Sequence, residues 1–423
     1  MNSFWRIFFL ELIALIRSKT LALLALVSSV WMVVFPYIVK GDGTYEGARE
    51  LYIRFSLGGV FSLLVVSLLS SATGSIANER LSKRLDLTLV RPVRFVSIAL
   101  GKILAHVAIG SFVLALSCVI LLCNVDFKRQ CSHLYSPILP TAQEEAKMMY
   151  DVFINSPETP EPVKKAKKST VLRILEQRAR DHYQTIATNS LAVWRFDKAL
   201  YERAKTLAVK VRFKLTNAND MRDDVKGTLK WGLKEGVFSS ITRTFIEVPL
   251  FEKTGQDDFD GKLQFKNEGN NAIMLRPRQD IHLMLPADAF GFNLFRSYIV
   301  MVSLMALVIS FGVFLSSSLS RPVALFSAIV LLLVSEISPS ISEQYPDQLE
   351  TDFADRIGLY ITRFSASFTQ SISSSSPLEA LSRDECVETG DVARAFILDF
   401  LVLSSLFALL SAFIMRHKRE AIG

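Results

Sequence analysis

Long apolar runs occupy both ends of the chain, and a polar stretch with its own alternation separates them. A helix needs about 20 apolar residues to cross a hydrocarbon core. Six segments are read as spans: "TLALLALVSSVWMVVFPYIV" (20–39), 53–73, "IALGKILAHVAIGSFVLALSCVILLC" (98–123), 295–316, 321–335 and "AFILDFLVLSSLFALLSAFIM" (395–415). The fifth is the shortest, because Glu336 and Pro339 are expected to stop it. Ahead of them, residues 1–19 place Ser3, Arg6, Glu11, Arg17 and Ser18 on one side of a helix, with Trp5, Phe8, Phe9, Leu12 and Ile16 elsewhere. A narrow polar face beside a broad apolar one predicts a helix lying in the membrane interface. It has no clear cleavage site, so it is not read as a signal peptide.

The middle of the chain changes period. Residues 124–190 are rich in Glu, Lys, Ala and Gln, with prolines at 157, 160 and 162 between two helical patches, which predicts a helical hairpin. From 191 to 292 the pattern alternates. "TLAVKVRFKLT" puts Leu207, Val209, Val211, Phe213 and Leu215 on one face and Lys210, Arg212 and Lys214 on the other. "TLKWGLK" repeats this with Leu229, Trp231 and Leu233, and "LQFKNEGNNAIML" reads as a hairpin turning at Asn267 to Asn271. Short strands at this spacing predict a β-sandwich. Trp194 and Trp231 are either core or platforms for a ligand; alternation alone leaves both open.

Charge then sets the orientation. The chain is 50% hydrophobic yet carries a formal charge of +7. Arg6, Arg17 and Lys19 precede the first span, a basic segment separates the second and third, Arg321 divides the fourth and fifth, and "RHKRE" (416–420) follows the sixth. With six spans these flanks share one side, so both termini are expected in the cytoplasm and the insert outside. The basic balance is thereby explained by topology, without nucleic acid. Cys131 and Cys386 then both fall outside, where an oxidising compartment permits a disulfide if their Cα atoms approach.

Catalytic chemistry is not legible. "GQDDFDGKL" has the wrong spacing for a P-loop and lacks its Ser/Thr. There is no HExxH, no GxSxG and no Cys/His metal spacing. The chain is therefore not read as an enzyme. Three polar side chains sit in apolar segments: His106 in the third span, read as a packing hydrogen-bonder, and Asp399 and Glu336, which either sit near an interface or face a partner or an aqueous path.

"ANERLSKRLDLTLVRPVRFVSIALGK" (77–102) alternates charged and aliphatic residues at helical spacing, with Leu81, Leu85 and Leu89 each four apart, and Pro92 ends the pattern. As a plain topology anchor it needs only positive charge; as an amphipathic helix it offers a surface for another protein. The stretch resembles the permease subunits of ABC-2 type ABC transporters, whose motif is close to E-x-x-x-G-T-L-x-L-L-L-T-R-P-V-x-x-x-x-x-x-x-G-K. Glu79, Leu85, Leu87, Leu89, Arg91, Pro92, Val93, Gly101 and Lys102 fit it, while Lys83 and Arg84 replace its Gly-Thr pair. The insert and its exit "P-x-x-x-F-x-x-N" are similar to one bacterial subgroup of these permeases.

The resemblance implies an all-α six-helix transmembrane domain in the bacterial inner membrane, with an inserted extracytoplasmic α+β domain containing the β-sandwich. Spans one to three would occupy 20–123, with a cytoplasmic coupling segment at 77–97. Spans four to six would occupy 293–423, with short external helices at 340–390. It also implies a second permease, homo- or heteromeric, and a cytoplasmic ABC ATPase that holds ATP and Mg, this chain binding no cofactor itself. Glu79, Arg80, Lys83, Arg84, Leu85, Leu89, Arg91 and Pro92 would couple to that ATPase. The rival expectation is a non-transporting membrane protein whose external β-domain works as a binding, sensor or adhesion module.

Overall fold

The computed structural model describes residues 3–38, 45–83, 94–124, 130–139, 142–156, 168–180, 184–197, 206–212, 214–215, 224–231, 234–241, 245–252, 261–344 and 377–420. The chain divides into two compact units, Met1–Cys131 with Asp288–Gly423, and Ser132–Ala287.

The first unit is helical. It begins with α1 (Ser3–Arg17) and α2 (Lys19–Ile38), then α3 (Tyr45–Tyr52), a π-helical turn at Ile53–Leu57, α4 (Gly58–Ser75) and α5 (Ala77–Leu81). The third apolar run is α6 (Phe95–Asn124). Among the described residues four helices are long and apolar enough to cross a membrane: Gly47–Leu81, Phe95–Asn124, Phe290–Ser318 and Thr389–His417. Six crossings were expected, and two of those runs are not among these four. The first lies in α2, which meets α1 at a 62° bend, and the two helices pass as a crossing only together. The other is represented by the shorter apolar stretch Arg321–Leu333, beyond which the side chains of this helix lie outside the described residues. Its helix nevertheless runs on past Glu336 and Pro339 to Gln344. Those residues end the apolar stretch rather than the helix, since a helix can absorb an internal proline when its freed carbonyl finds another partner.

The second unit contains β1 (Gln130–Tyr135, which begins just before it), α7 (Ala142–Asn155), α8 (Lys168–Arg180), β2 (Gln184–Ile186), β3 (Leu191–Arg195), β4 (Thr206–Arg212), β5 (Lys214–Leu215), β6 (Asp224–Trp231), β7 (Lys234–Ile241), β8 (Phe245–Glu252), β9 (Lys262–Asn267), β10 (Ile273–Leu275), α9 (Pro277–Asp280) and β11 (Ile281–Ala289). α7 and α8 pack through Ala146, Val171 and Leu175, as the paired helical patches predict. The strands form three sheets, ordered β1-β11-β4-β8, β2-β10-β5 and β3-β9-β6-β7. All three supply one core, which includes Ile186, Trp194, Val209, Val211, Leu229, Phe265, Ile273 and Leu283. Burying one face of each strand in a common core is what alternation encodes. Trp194 belongs to this core and is 3% exposed, which removes it as a ligand platform.

Three local readings change. Strands β1 and β2 come from the stretch expected to be helical, and β1 joins the sheet of β11. The "LQFKNEGNNAIML" stretch is a corner rather than a hairpin, because β9 pairs with β3 and β6 while β10 pairs with β2 and β5. Asn267 holds that corner. Its buried amide donates to the carbonyls of Ile186, Ala187 and Asn271 and accepts from the Gly269 N–H. Within "TLKWGLK", β6 ends at Trp231 and Lys234, its partner in the register, already begins β7.

The chain then returns to helices: α10 (Phe290–Ser318), α11 (Arg321–Gln344), α12 (Pro377–Ser382), α13 (Thr389–Arg394), a π-helical stretch at Ala395–Leu403, and α14 (Ser404–Glu420). Of the four long helices α10 is the most enclosed, with 72% of its apolar window buried against 28% for Thr389–His417. Gly110 and Gly312 permit its close packing: a Cβ on Gly110 would lie 2.6 Å from Met305 Sδ, and one on Gly312 2.8 Å from Leu69 Cδ1. The outward faces stay apolar, with Leu23, Leu26, Val30, Val66, Phe112, Phe326, Ile397 and Phe413 exposed. Apolar surface on this scale marks a molecule surrounded by lipid.

Candidate functional site

The described part of the basic segment sits where α1, α4, α6 and α10 converge. α5 begins directly after α4, and its entry is fixed by Ser316 Oγ of α10, which accepts from the N–H groups of Ile76 (3.1 Å) and Ala77 (2.9 Å). Arg80 then donates to the carbonyls of Ser317 (3.1 Å) and Leu319 (2.9 Å). A cation at these orphan carbonyls offsets the negative end of α10. Arg80 thus caps the end of α10 from α5.

Glu79 points the other way, to Lys102 of α6, with Oε1 2.8 Å from Nζ. The same ammonium donates to Glu11 Oε2 (3.0 Å) and the Ser75 carbonyl (3.2 Å), so all three donors are used. The Lys102 side chain is 3% exposed, the Glu11 and Glu79 side chains 17% and 32%. One buried cation between two carboxylates leaves one negative charge in excess on the more open side. Gly101 lets α1 approach: a Cβ there would meet Ile7 Cγ2 at 3.0 Å and the Phe8 backbone nitrogen at 3.3 Å. One turn along α6, His106 donates from Nδ1 to the Lys102 carbonyl (2.8 Å), and its Nε2 lies 3.0 Å from Ser71 Oγ. It links two helices and makes no metal cluster; among the described residues none exists.

Of the amphipathic helix expected through Leu81, Leu85 and Leu89, the described part is α5. α5 stops at Leu81, Lys83 adopts a left-handed backbone with φ 54°, and Leu81 is 74% exposed. A left-handed residue cannot continue a right-handed helix. Arg84, Leu85, Leu89, Arg91 and Pro92 lie outside the described residues.

A second polar cluster gathers residues far apart in the sequence. Arg49 on α3 makes a bidentate, buried pair with Asp384, whose second contact (Nη1 to Oδ2) is 2.7 Å, and the guanidinium lies over the Phe290 ring. Asn293 of α10 donates to the Glu385 carbonyl and accepts from the Val387 N–H, both at 2.8 Å. Between these residues Cys386 is disulfide-bonded to Cys131, with Cα atoms 5.1 Å apart. The segment 384–387 is therefore held by a covalent bond, an ion pair and an amide clamp. Sequence reading had singled out the cysteines and, through the exit motif P-x-x-x-F-x-x-N, Phe290 and Asn293; Arg49 and Asp384 carried no motif.

Asp399 stands in the π-helical stretch at 1% exposure, although Phe396, Ile397, Leu398, Leu401 and Val402 around it face outward. Its carboxyl is enclosed by protein. Glu336 falls within α11, and its side chain lies outside the described residues. No family model, no curated protein and no solved structure matches this chain.

Proposed function

We propose that the chain is the membrane-spanning permease subunit of an ABC-2 type transporter in a bacterial inner membrane. It works as a dimer of permeases with two cytoplasmic ATPases, which hold ATP and Mg and supply the energy. The observation that carries this reading is the behaviour of the motif's ends. Glu79 opens the motif and Lys102 closes it, 23 residues apart, and the two form an ion pair at 2.8 Å. A second observation supports it. Lys83 occupies the motif's glycine position and has φ 54°, a conformation glycine adopts without steric cost.

In this reading the Glu79 junction is the cytoplasmic end, and Ser132–Ala287 with the Cys131–Cys386 bond lies outside, where oxidation is favoured. Leu81, exposed at the end of α5, then belongs to the surface that meets the ATPase. Co-expression with the ABC ATPase encoded nearest to this chain tests the proposal. Co-purification of a complex that hydrolyses ATP supports it. A chain that purifies alone, with no such ATPase gene beside it, leaves the binding or adhesion reading of the β unit standing.

A further inference from the structure

We propose that Glu11 and Lys102 are positioning residues that lock the N-terminal helix α1 to the Glu79 segment, so that motion imposed on that segment reaches α1 directly. This rests on the permease reading. Three observations carry it. The Lys102 ammonium spends its three donors on three separate elements or their ends: Glu11 of α1, Ser75 at the end of α4 and Glu79 of α5. α1 has a fixed seat on α6, where Leu15 packs with Ala105 and Ile109 and Gly101 allows backbone-close contact at Phe8. The rest of α1 turns outward with Trp5, Phe9, Leu10, Ile13 and Ile16 exposed, so α1 has large apolar contact with its surroundings.

A stability role alone does not require ions here. Replacing a buried ionic triad by apolar side chains of similar volume is often neutral or stabilising. What apolar side chains lose is the directional link: a carboxylate on each moving element held to one cation.

The test uses the complex of the full chain with its co-expressed ABC ATPase, reconstituted in lipid. Cys123 is replaced by serine, and an environment-sensitive dye is placed at Phe9→Cys on the exposed face of α1. Trapping the ATPase with ATP and vanadate is expected to shift the dye emission in the otherwise unaltered chain. In Glu11→Leu the ATPase should still co-purify and the thermal midpoint should stay within a few degrees. The dye shift should disappear, and permease-dependent ATP hydrolysis should fall at least about five-fold. Glu11→Gln, which keeps an acceptor for Lys102, should retain part of both signals; it carries the test if the leucine variant fails to fold. An equal dye shift in all three chains, or none in the unaltered complex, overturns the lock alone. Absence of any bound ATPase in the unaltered preparation overturns the permease reading and the lock with it.

Discussion

Lys102 has no water to fall back on. Removing its charge by Lys102→Met leaves Glu11 and Glu79 facing each other in a half-enclosed site, and an unsatisfied group of this kind costs about 1–3 kcal/mol. Thermal unfolding in lipid should show the loss, and Lys102→Met combined with Glu11→Leu should recover part of it. Gly227 offers a contrast in which the obstacle is backbone. A Cβ there would lie 2.5 Å from the Lys266 carbonyl oxygen, so Gly227→Ala must open the β6–β9 pair. A cost of about 1–3 kcal/mol is expected, read as faster proteolysis within Ser132–Ala287. Of the ionic junction, Glu79 and Lys102 were legible because a motif spaces them. Glu11 was not, since it lies 91 residues from Lys102 and reads as part of a narrow polar stripe. One signal was available: a lone carboxylate among phenylalanines and leucines wants a cation.

Among elements, hydropathy located the long helices well and their ends poorly. Apolar run length is fixed by what surrounds a helix, whereas helix length is fixed by hydrogen bonds and caps. Thus α11 runs past Glu336 and Pro339 to Gln344, and α5 ends at Leu81. The stop at Lys83 is a backbone effect that a periodicity of side chains does not report. A left-handed L-residue costs about 1–2 kcal/mol, so Lys83→Gly should be neutral to stabilising and Lys83→Val destabilising, as followed by thermal midpoint. Leu81 gives the functional counterpart. Leu81→Asp, at a site 74% exposed, should leave the midpoint nearly unchanged while reducing ATPase co-purification. The strands show the same division. Alternation identified the core faces of β4, β6 and β9, but partner choice between sheets depends on corners such as Asn267, whose bonds join residues 80 positions apart.

For the molecule as a whole, the disulfide is the long-range tie that can be read most directly. A protease site inserted between residues 160 and 161 would separate Cys131 from Cys386 into two fragments. These should migrate together without reductant and apart with it. Two separate fragments under non-reducing conditions would count against the bond. Labelling of cysteines placed at Lys168 and Lys226 in intact cells checks the orientation independently: both should react before the membrane is opened.

The bond also bears on how the protein is made. Its two cysteines are 255 residues apart in the chain. At synthesis rates of about 5–20 residues per second, Cys386 follows Cys131 by on the order of 13–50 seconds. On the proposed topology, α10 and α11 must both enter the bilayer during that interval before the second thiol can reach the oxidising side. Cys131 therefore waits, exposed to wrong partners, until nearly the whole chain has been delivered. On that topology, its oxidation with Cys386 records that α10 and α11 have inserted in the right order, ahead of Thr389–His417.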